Sequence, residues 1–219
     1  MTAPNPTSAK TPWTRSPWFW AALAGVLLLT ALRTCSGRHL AELQVMGTVP
    51  AFSLQDQSGK PVTEASLRGR PWVASFIFTT CSTVCPKITE ANAELQRRLA
   101  AAGRSARIVS FTVDPEYDTP AVLAAYAARY GADPARWSFL TGPQDRLFRL
   151  ITDGFQLAMG DRQKDAAGVI DITHSSKLVL VDATLQVRGY FGTSPEELGL
   201  IVAYLEQLEA ASPPAAGAP

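Results

Sequence analysis

Three short and almost continuously apolar runs constrain the fold of this chain more than any other feature. The runs are "PWVASFIF", "ARIVSFTV" and "WSFLTG", and each is followed by a segment with apolar residues at helical spacing. Strands that are apolar on both faces are typical of a parallel sheet that is covered by helices on both sides. The repeated strand–helix units therefore predict an α/β domain with a mostly parallel central sheet.

The ends of two helices carry capping signals. Thr119 is a predicted N-cap, Pro120 a first helical residue and Gly131 the stop of the same helix. At the start of the last helix, Ser194 and Glu197 have the spacing of a capping box. These signals separate the helices from the strands beside them.

Predicted hairpins flank the strand–helix units on both sides. "FSLQDQSGKPVT" has a glycine turn at residues 56–59 and predicts a first hairpin. "SKLVLVD" and "LQVRGYFG" predict a second hairpin, which turns at residues 182–184. The polar stretch of residues 160–171 is predicted to be a loop. This order is the layout of a thioredoxin-like fold with an N-terminal β-hairpin and an inserted βα unit.

The N-terminal region predicts a membrane anchor. Residues 1–16 form a tail rich in Pro, Ser and Thr, and residues 17–33 contain the uncharged segment "WFWAALAGVLLLTAL". That segment is somewhat shorter than the roughly 20 residues of a usual spanning helix. It is also at the upper limit, about 15 residues, for the apolar region of a signal peptide. We expect one transmembrane anchor, with a cleaved signal as the alternative. Residues 34–44 are a predicted linker, residues 45–210 the folded domain and residues 211–219 a disordered tail.

Charge and cysteine content exclude two classes of protein. The chain has 20 basic and 19 acidic residues, and its formal net charge is +1. Binding to nucleic acid is not expected, because it would need a clustered basic face. Three cysteines are too few for a disulfide-framework protein.

Two of these cysteines, Cys81 and Cys85, lie close together in "FIFTTCSTVCPKI", just after the first apolar strand. In a parallel sheet, functional sites form at the carboxyl ends of the strands. A spacing of four on a helix would place both thiols on one face, and the helix N-terminus would favour their thiolate form. The pair is consistent with a disulfide staple, a redox pair or two metal ligands.

His174, in "DITHSSKLVLVD", precedes the first strand of the second hairpin. If that strand runs antiparallel to the central strands, its start lies at the edge where they end, within reach of the cysteines. Two thiolates and one imidazole suit copper, because soft thiolates select Cu(I) and imidazole also binds copper. Structural zinc would want a fourth protein ligand. Asp114 and Met159 are candidates for a fourth position, with turn capping and packing as their alternative roles.

Three motifs, "TTCSTVCPKI", "FTVDPEYDTP" and "DITHSSKLVLVD", resemble the Sco/SenC family in this order. Members of that family are membrane-anchored, thioredoxin-like copper proteins that help to assemble the CuA centre of cytochrome c oxidase. The resemblance implies that Cys81, Cys85 and His174 are copper ligands. The metal is expected as Cu(I), with Cu(II) as the other candidate state. This chain departs from the family pattern at Ser82, where a proline is usual, and at Thr173, where an aspartate is usual.

The resemblance also implies a partner and a location. The expected partner is cytochrome c oxidase subunit II or another copper-receiving protein. The expected location is the membrane, with the domain on the periplasmic, non-cytoplasmic side. The leading hypothesis is a copper metallochaperone without enzymatic turnover.

A thiol–disulfide oxidoreductase is the competing hypothesis, and it leaves open whether the protein is also an enzyme. Cys81 would attack a disulfide of the partner, and Cys85 would resolve the mixed disulfide. His174 favours the copper chaperone, because a pure reductase has no need of an imidazole. A peroxidase is disfavoured. By resemblance, peroxiredoxins carry a threonine three residues before the reactive cysteine, and Phe78 occupies that position here.

Overall fold

The computed structural model of the chain describes residues 17–35, 40, 42–164 and 170–211. The chain divides into two compact units, residues 1–41 and residues 42–219. The predicted tail of residues 1–16, parts of the predicted linker and the last eight positions of the C-terminal tail lie outside the described residues.

The first unit contains one described helix, α1 (Pro17–Cys35), which coincides with the predicted apolar segment. The helix continues two residues into the predicted linker. In the part of the chain that the structure describes, no helix has both the length and the apolar character required to cross a membrane. The prediction of a transmembrane anchor is therefore not confirmed.

A mixed sheet with eight described strands forms the centre of the second unit. Its members are β1 (Gly47–Thr48), β2 (Ser53–Asp56), β3 (Pro61–Thr63), β4 (Trp72–Ile77), β5 (Arg107–Thr112), β6 (Trp137–Thr141), β9 (Leu178–Val181) and β10 (Gln186–Phe191). Two further strands, β7 (Met159–Lys164) and β8 (Ile170–His174), pair with each other in a separate ribbon. The order across the large sheet is β1-β10-β9-β4-β5-β6-β2-β3. Strands β4, β5 and β6 are parallel, and β9 and β2 flank them in antiparallel orientation.

Helices follow the parallel strands, as the sequence predicts. They are α2 (Cys85–Ala101), α3 (Pro120–Arg129) and α4 (Gln144–Arg149), which continues in a π-helical turn (Leu150–Gly154). The last helix, α5 (Pro195–Ala211), follows the antiparallel strand β10. A 3₁₀ turn (Glu64–Leu67) follows β3. Both predicted caps are present. The Val122 N–H donates to Thr119 Oγ1 over 3.4 Å, and the Glu197 N–H donates to Ser194 Oγ over 3.3 Å. Gly131 has the positive φ of +64° that suits a helix stop.

The core is built around the central strand β4, which is buried along its whole length. Four aromatic rings pack together beside it and the neighbouring strand: Trp72, Phe76, Phe111 and Phe155. Burial on both faces explains why the sequence of β4 is continuously apolar. The buried centre of the sheet thus ends shortly before the segment that contains Cys81.

The prediction of a loop over residues 160–171 is wrong. Strands β7 and β8 occupy most of this stretch and pair antiparallel, while residues 165–169 between them lie outside the described part. A two-stranded ribbon buries at most one face, so its strands need few apolar residues. In β8, Ile172 is buried and Thr173 is exposed. The polar sequence of β7 concealed that strand, whereas β8 (IDITH) has the alternation of a half-buried strand, which the sequence analysis overlooked.

Candidate metal centre

The carboxyl ends of β4 and β5 and the start of β9 meet at one edge of the sheet. This follows because β4 and β5 are parallel and β9 is antiparallel to β4. Cys81 lies just beyond the end of β4, and His174, the last residue of β8, lies just before β9. The topology that brings His174 to the cysteines is therefore confirmed.

Direct contacts join the three predicted site residues. Cys85 Sγ lies 3.3 Å from His174 Nε2. The Cys85 N–H donates to Cys81 Sγ over 3.4 Å, so the two cysteines meet at the start of α2. Neither thiol forms a disulfide. The Phe78 N–H also donates to Cys85 Sγ over 3.4 Å, which anchors this sulfur against the end of β4.

The imidazole of His174 is oriented by two neighbours. Its Nδ1 lies 3.1 Å from the Ser175 carbonyl oxygen. A carbonyl oxygen can only accept, so Nδ1 carries the proton, and in the neutral ring the lone pair of Nε2 faces Cys85. The ring also packs edge-on against Phe78, with 5.7 Å between the ring centroids. A histidine held in this tautomer through its other nitrogen is typical of metal sites.

The two thiols lie in different environments. Cys81 is partly exposed, whereas Cys85 is 0% exposed. Burial alone would raise the pKa of Cys81, but the hydrogen bonds from the N–H groups of Cys85 and Thr83, and from the Cys85 side chain, lower the pKa overall. Burial raises the pKa of Cys85 far above its usual range, and the neighbouring Cys81 and the charge of Asp118 raise it further.

The sequence-based account of the thiols was wrong on two points. Helix α2 begins at Cys85, with Pro86 in its first turn, so Cys81 lies in the loop and not on a shared helix face. The bias towards thiolate also applies only to Cys81, because burial of Cys85 outweighs any effect of the helix N-terminus. The site therefore has one accessible thiol with a lowered pKa, Cys81, and one buried thiol with a raised pKa, Cys85.

Asp118 supports the site and was missed by the sequence analysis. Its buried carboxylate accepts hydrogen bonds from the N–H and hydroxyl of Thr79 and from the hydroxyl of Thr112. Thr79 lies two positions before Cys81, so Asp118 ties the segment that leads to the cysteines to the end of β5. The second aspartate of "DPEYDTP", placed shortly after a buried strand, was the available signal.

The other candidate residues take different positions. The Asp114 carbonyl oxygen accepts from the N–H groups of Tyr117 and Asp118, over 3.2 Å and 2.9 Å, so its main chain forms the turn, and the role of its side chain stays a prediction. Met159 lies directly opposite His174 in the pairing of β7 with β8. Thr173 is exposed and neighbours His174, so its side chain projects from the opposite face of β8.

The donor set fits a metal that prefers sulfur and imidazole. As the side chains stand, the described residues contain no group of three or more His, Cys, Asp or Glu that is arranged to hold a metal ion. Cys85 and His174 are nevertheless already in contact, and Cys81 borders Cys85. Thiolate and imidazole are the ligands that copper and zinc take in proteins.

The fold and the site together define a thioredoxin-like protein with two cysteines and a histidine at the carboxyl edge of its sheet. The sequence profile of the SCO1/SenC family matches residues 41–208. The chain therefore belongs to the SCO1/SenC family.

Related proteins agree with this assignment. The SCO1 protein homolog of Bacillus subtilis (strain 168) is 36% identical over 160 residues, which cover 73% of this chain and 80% of that protein. A SCO1/SenC family lipoprotein from Bacillus anthracis str. Ames has a similar structure, with a TM-score of 0.69 and 29% identity over 77% of this chain and 99% of that chain.

Two further solved structures carry functional descriptions. BsSco, described as a member of the Sco family of cytochrome c oxidase assembly proteins with a disulfide switch, has a TM-score of 0.68 and 31% identity. The match covers 78% of this chain and 99% of BsSco. ScoI of Bradyrhizobium japonicum, solved with copper bound, has a TM-score of 0.65 and 26% identity over 74% of this chain and 99% of ScoI.

Proposed function

We propose that this protein is a copper chaperone that binds one copper ion as its cargo through Cys81, Cys85 and His174. The observation that carries the proposal is the contact of 3.3 Å between Cys85 Sγ and His174 Nε2, beside the second sulfur of Cys81. The copper-bound structure of the related ScoI supports copper as the metal. Soft sulfur ligands favour Cu(I), while the imidazole also suits Cu(II).

The difference between the thiols predicts an order of ligand exchange. A thiol must lose its proton to bind a metal. Cys81, whose pKa is lowered, is therefore the first sulfur ready to accept copper from a donor. It is also the accessible sulfur, so a ligand of the receiving protein replaces it first during release. Cys85 and His174 lie behind it and hold the ion until the transfer is complete.

The proposed recipient is a protein with its own thiolate ligands for copper, namely the subunit II that carries the CuA centre of cytochrome c oxidase. The family description of BsSco as a cytochrome c oxidase assembly protein supports this choice. The fit is chemical, because a second set of soft ligands can receive Cu(I) without a change in its oxidation state.

We also propose that the N-terminal unit attaches the protein to a membrane, with the copper-binding domain on the non-cytoplasmic side. Helix α1 exposes large apolar side chains, among them Trp18, Trp20 and Leu27. Exposed apolar surface of this kind partitions into a lipid interface. The related protein of Bacillus anthracis is described as a lipoprotein, which supports membrane association.

A thiol–disulfide oxidoreductase is the second candidate, and the difference in acidity between the cysteines favours it. The Cys81 thiolate would attack a partner's disulfide and form a mixed disulfide, and the released partner sulfur would take up a proton. Cys85 would then lose its proton, attack Cys81 and release the second partner thiol. The two cysteines would end as a disulfide and the partner as a dithiol. BsSco is described as having a disulfide switch.

Replacement of His174 by alanine distinguishes the two functions. We expect His174→Ala to weaken Cu(I) binding by at least about tenfold, because removing supporting groups around a metal already costs about 10–100-fold. The same variant should reduce a model disulfide at the wild-type rate. The measurement is a Cu(I) titration of the purified protein in competition with a chromophoric chelator, beside a disulfide-reduction assay.

Thr173→Ala is the matched control, because Thr173 is the exposed neighbour of His174 on the same strand. It should bind copper as the wild type does. Equal copper affinity of His174→Ala and the wild type would refute the ligand set. Unchanged copper affinity together with wild-type disulfide reduction in His174→Ala would favour the oxidoreductase.

A further inference from the structure

The pairing of β7 with β8 places a methionine opposite a residue of the site. Met159 and His174 are directly opposite partners in this antiparallel ribbon. Directly opposite residues project from the same face of a ribbon, with their Cβ atoms about 4.5–5.5 Å apart. The Met159 side chain therefore leaves the ribbon on the same side as the imidazole that contacts Cys85.

Alternating burial shows that this side faces the protein. In β8, Ile172 is buried, Thr173 is exposed and His174 is partly buried, so Ile172 and His174 share the inner face. In β7, Met159 and Gly160 are both partly buried, and it is the direct pairing of Met159 with His174 that assigns Met159 to this face. Met159 thus lies on the inner face, next to the imidazole.

The register of the ribbon changes just after this residue. Met159 pairs with His174, but Arg162 pairs with Ile172, which marks a bulge between Met159 and Arg162. Bulges increase the local twist and redirect side chains, and they are common beside functional sites. The regular hydrogen-bond ladder is thus interrupted directly after Met159, where a bulge affects the direction of the neighbouring side chains.

We propose that Met159 is a further copper ligand, whose thioether sulfur joins Cys81, Cys85 and His174. This inference rests on the proposed copper-binding function. A thioether is a soft ligand that selects Cu(I). It carries no proton to lose, so it binds a metal without a deprotonation step. Met159 thereby gives the site a third sulfur and favours Cu(I) over Cu(II).

A leucine at this position separates a ligand from a packing residue. Leucine and methionine have similar volumes, and exchanges between them are well tolerated in protein interiors. If Met159 only packs, Met159→Leu keeps the Cu(I) affinity of the wild type. If its sulfur binds the metal, we expect the variant to bind Cu(I) about tenfold more weakly, the lower end of the range for a group that supports a metal site.

Met46→Leu is the matched control. Met46 is 49% exposed and precedes β1, which pairs with β10 beside Val187. Val187 pairs with Val181, and Val181 pairs with Trp72, the first residue of β4. Met46 therefore lies near the end of the sheet where β4 begins, and Cys81 lies beyond the opposite end of β4. The Cu(I) affinity of Met46→Leu should equal that of the wild type in the same chelator competition.

Selenium in place of the sulfur gives a direct readout. The chain contains three methionines, Met1, Met46 and Met159. In full-length protein grown with selenomethionine and loaded with Cu(I), X-ray absorption at the copper edge should show a selenium neighbour. The signal should persist in Met46→Leu and disappear in Met159→Leu.

The outcomes separate this inference from the proposed function. Absence of a selenium neighbour in copper-loaded wild type overturns the role of Met159, even if Met159→Leu binds copper more weakly, and leaves the other three ligands in place. Wild-type affinity in Met159→Leu overturns it as well. Failure of the wild type to bind Cu(I) at all overturns the proposed function, and the inference with it.

Discussion

Replacing Asp118 by alanine should destabilise the protein by disconnecting the ends of two central strands. The carboxylate of Asp118 is 0% exposed and accepts from the Thr79 N–H over 3.1 Å, as well as from the hydroxyls of Thr79 and Thr112. A buried group that loses its partner costs about 1–3 kcal/mol, and each hydrogen bond to a charged group contributes about 1.5–3 kcal/mol. Both hydroxyls can turn towards other acceptors, so we expect a loss of about 2–4 kcal/mol in the free energy of unfolding.

Asp118→Asn should cost less than half as much as Asp118→Ala. Its amide oxygen can still accept from the Thr79 N–H, and its amide group can donate to the Thr112 hydroxyl. The asparagine also removes a charge that raises the pKa of Cys85. The thiol pKa of Cys85 should therefore fall in this variant, while the strand ends stay connected.

The pH dependence of stability gives a second check on Asp118. Burial raises the pKa of Asp118 above its ordinary value of 3.8, although hydrogen bonds from Thr112 and Thr79 oppose the change. The folded protein then keeps the proton at pH values where the unfolded chain has released it. The contribution of Asp118 to the free energy of unfolding should fall as the pH rises from 3.8 through the raised pKa, and then level off. Asp118→Asn should lack this contribution.

The assay is urea unfolding of the wild type and both variants, followed by tryptophan fluorescence at several pH values from acid to neutral. Trp72 and Trp137 are buried, so unfolding changes their surroundings. A loss below about 1 kcal/mol in Asp118→Ala would contradict the estimate for an unsatisfied buried group. Equal losses in the two variants would show that the hydrogen bonds to Asp118 do not connect the strands.

Two further predictions concern the thiols and the N-terminal unit. Cys81 should react with iodoacetamide before Cys85 at neutral pH, because Cys81 is partly exposed with a lowered pKa, while Cys85 is buried with a raised pKa. Mass spectrometry of the labelled peptides measures the two rates, and equal rates would contradict the prediction. The full chain should sediment with the membrane fraction, whereas residues 42–219 alone should stay in the supernatant, because helix α1 carries the exposed apolar side chains. An equal distribution of the full chain and the shortened chain would argue against attachment through α1.

Much of the fold was predictable from local pattern. The central strand β4 is continuously apolar because both of its faces are covered, and this pattern needs no knowledge of the neighbours. Thr119 and Ser194 marked helix starts because capping depends on residues only a few positions apart. The meeting of His174 with the cysteines was also predictable, since it follows from strand direction alone.

The ribbon of β7 and β8 was not predictable in the same way. Strand β7 is polar apart from Met159, and its pairing with β8 rests on hydrogen bonds between main-chain groups, which side-chain patterns do not report. Its register decides that Met159, and not another residue of this stretch, lies opposite His174. A shift of one residue would have placed the thioether on the other face.

Residue types and their spacing were enough to define a thioredoxin-like domain with two thiols and an imidazole at one edge of its sheet, because strand burial, capping and chain direction act over short distances. Tertiary structure decided how the two thiols differ. Cys85 is turned into the core at the first residue of α2, and Cys81 stays in the loop, where N–H groups stabilise its thiolate. Acidity depends on burial and on neighbours such as Asp118 that are distant in sequence, and the chain order alone does not contain that information.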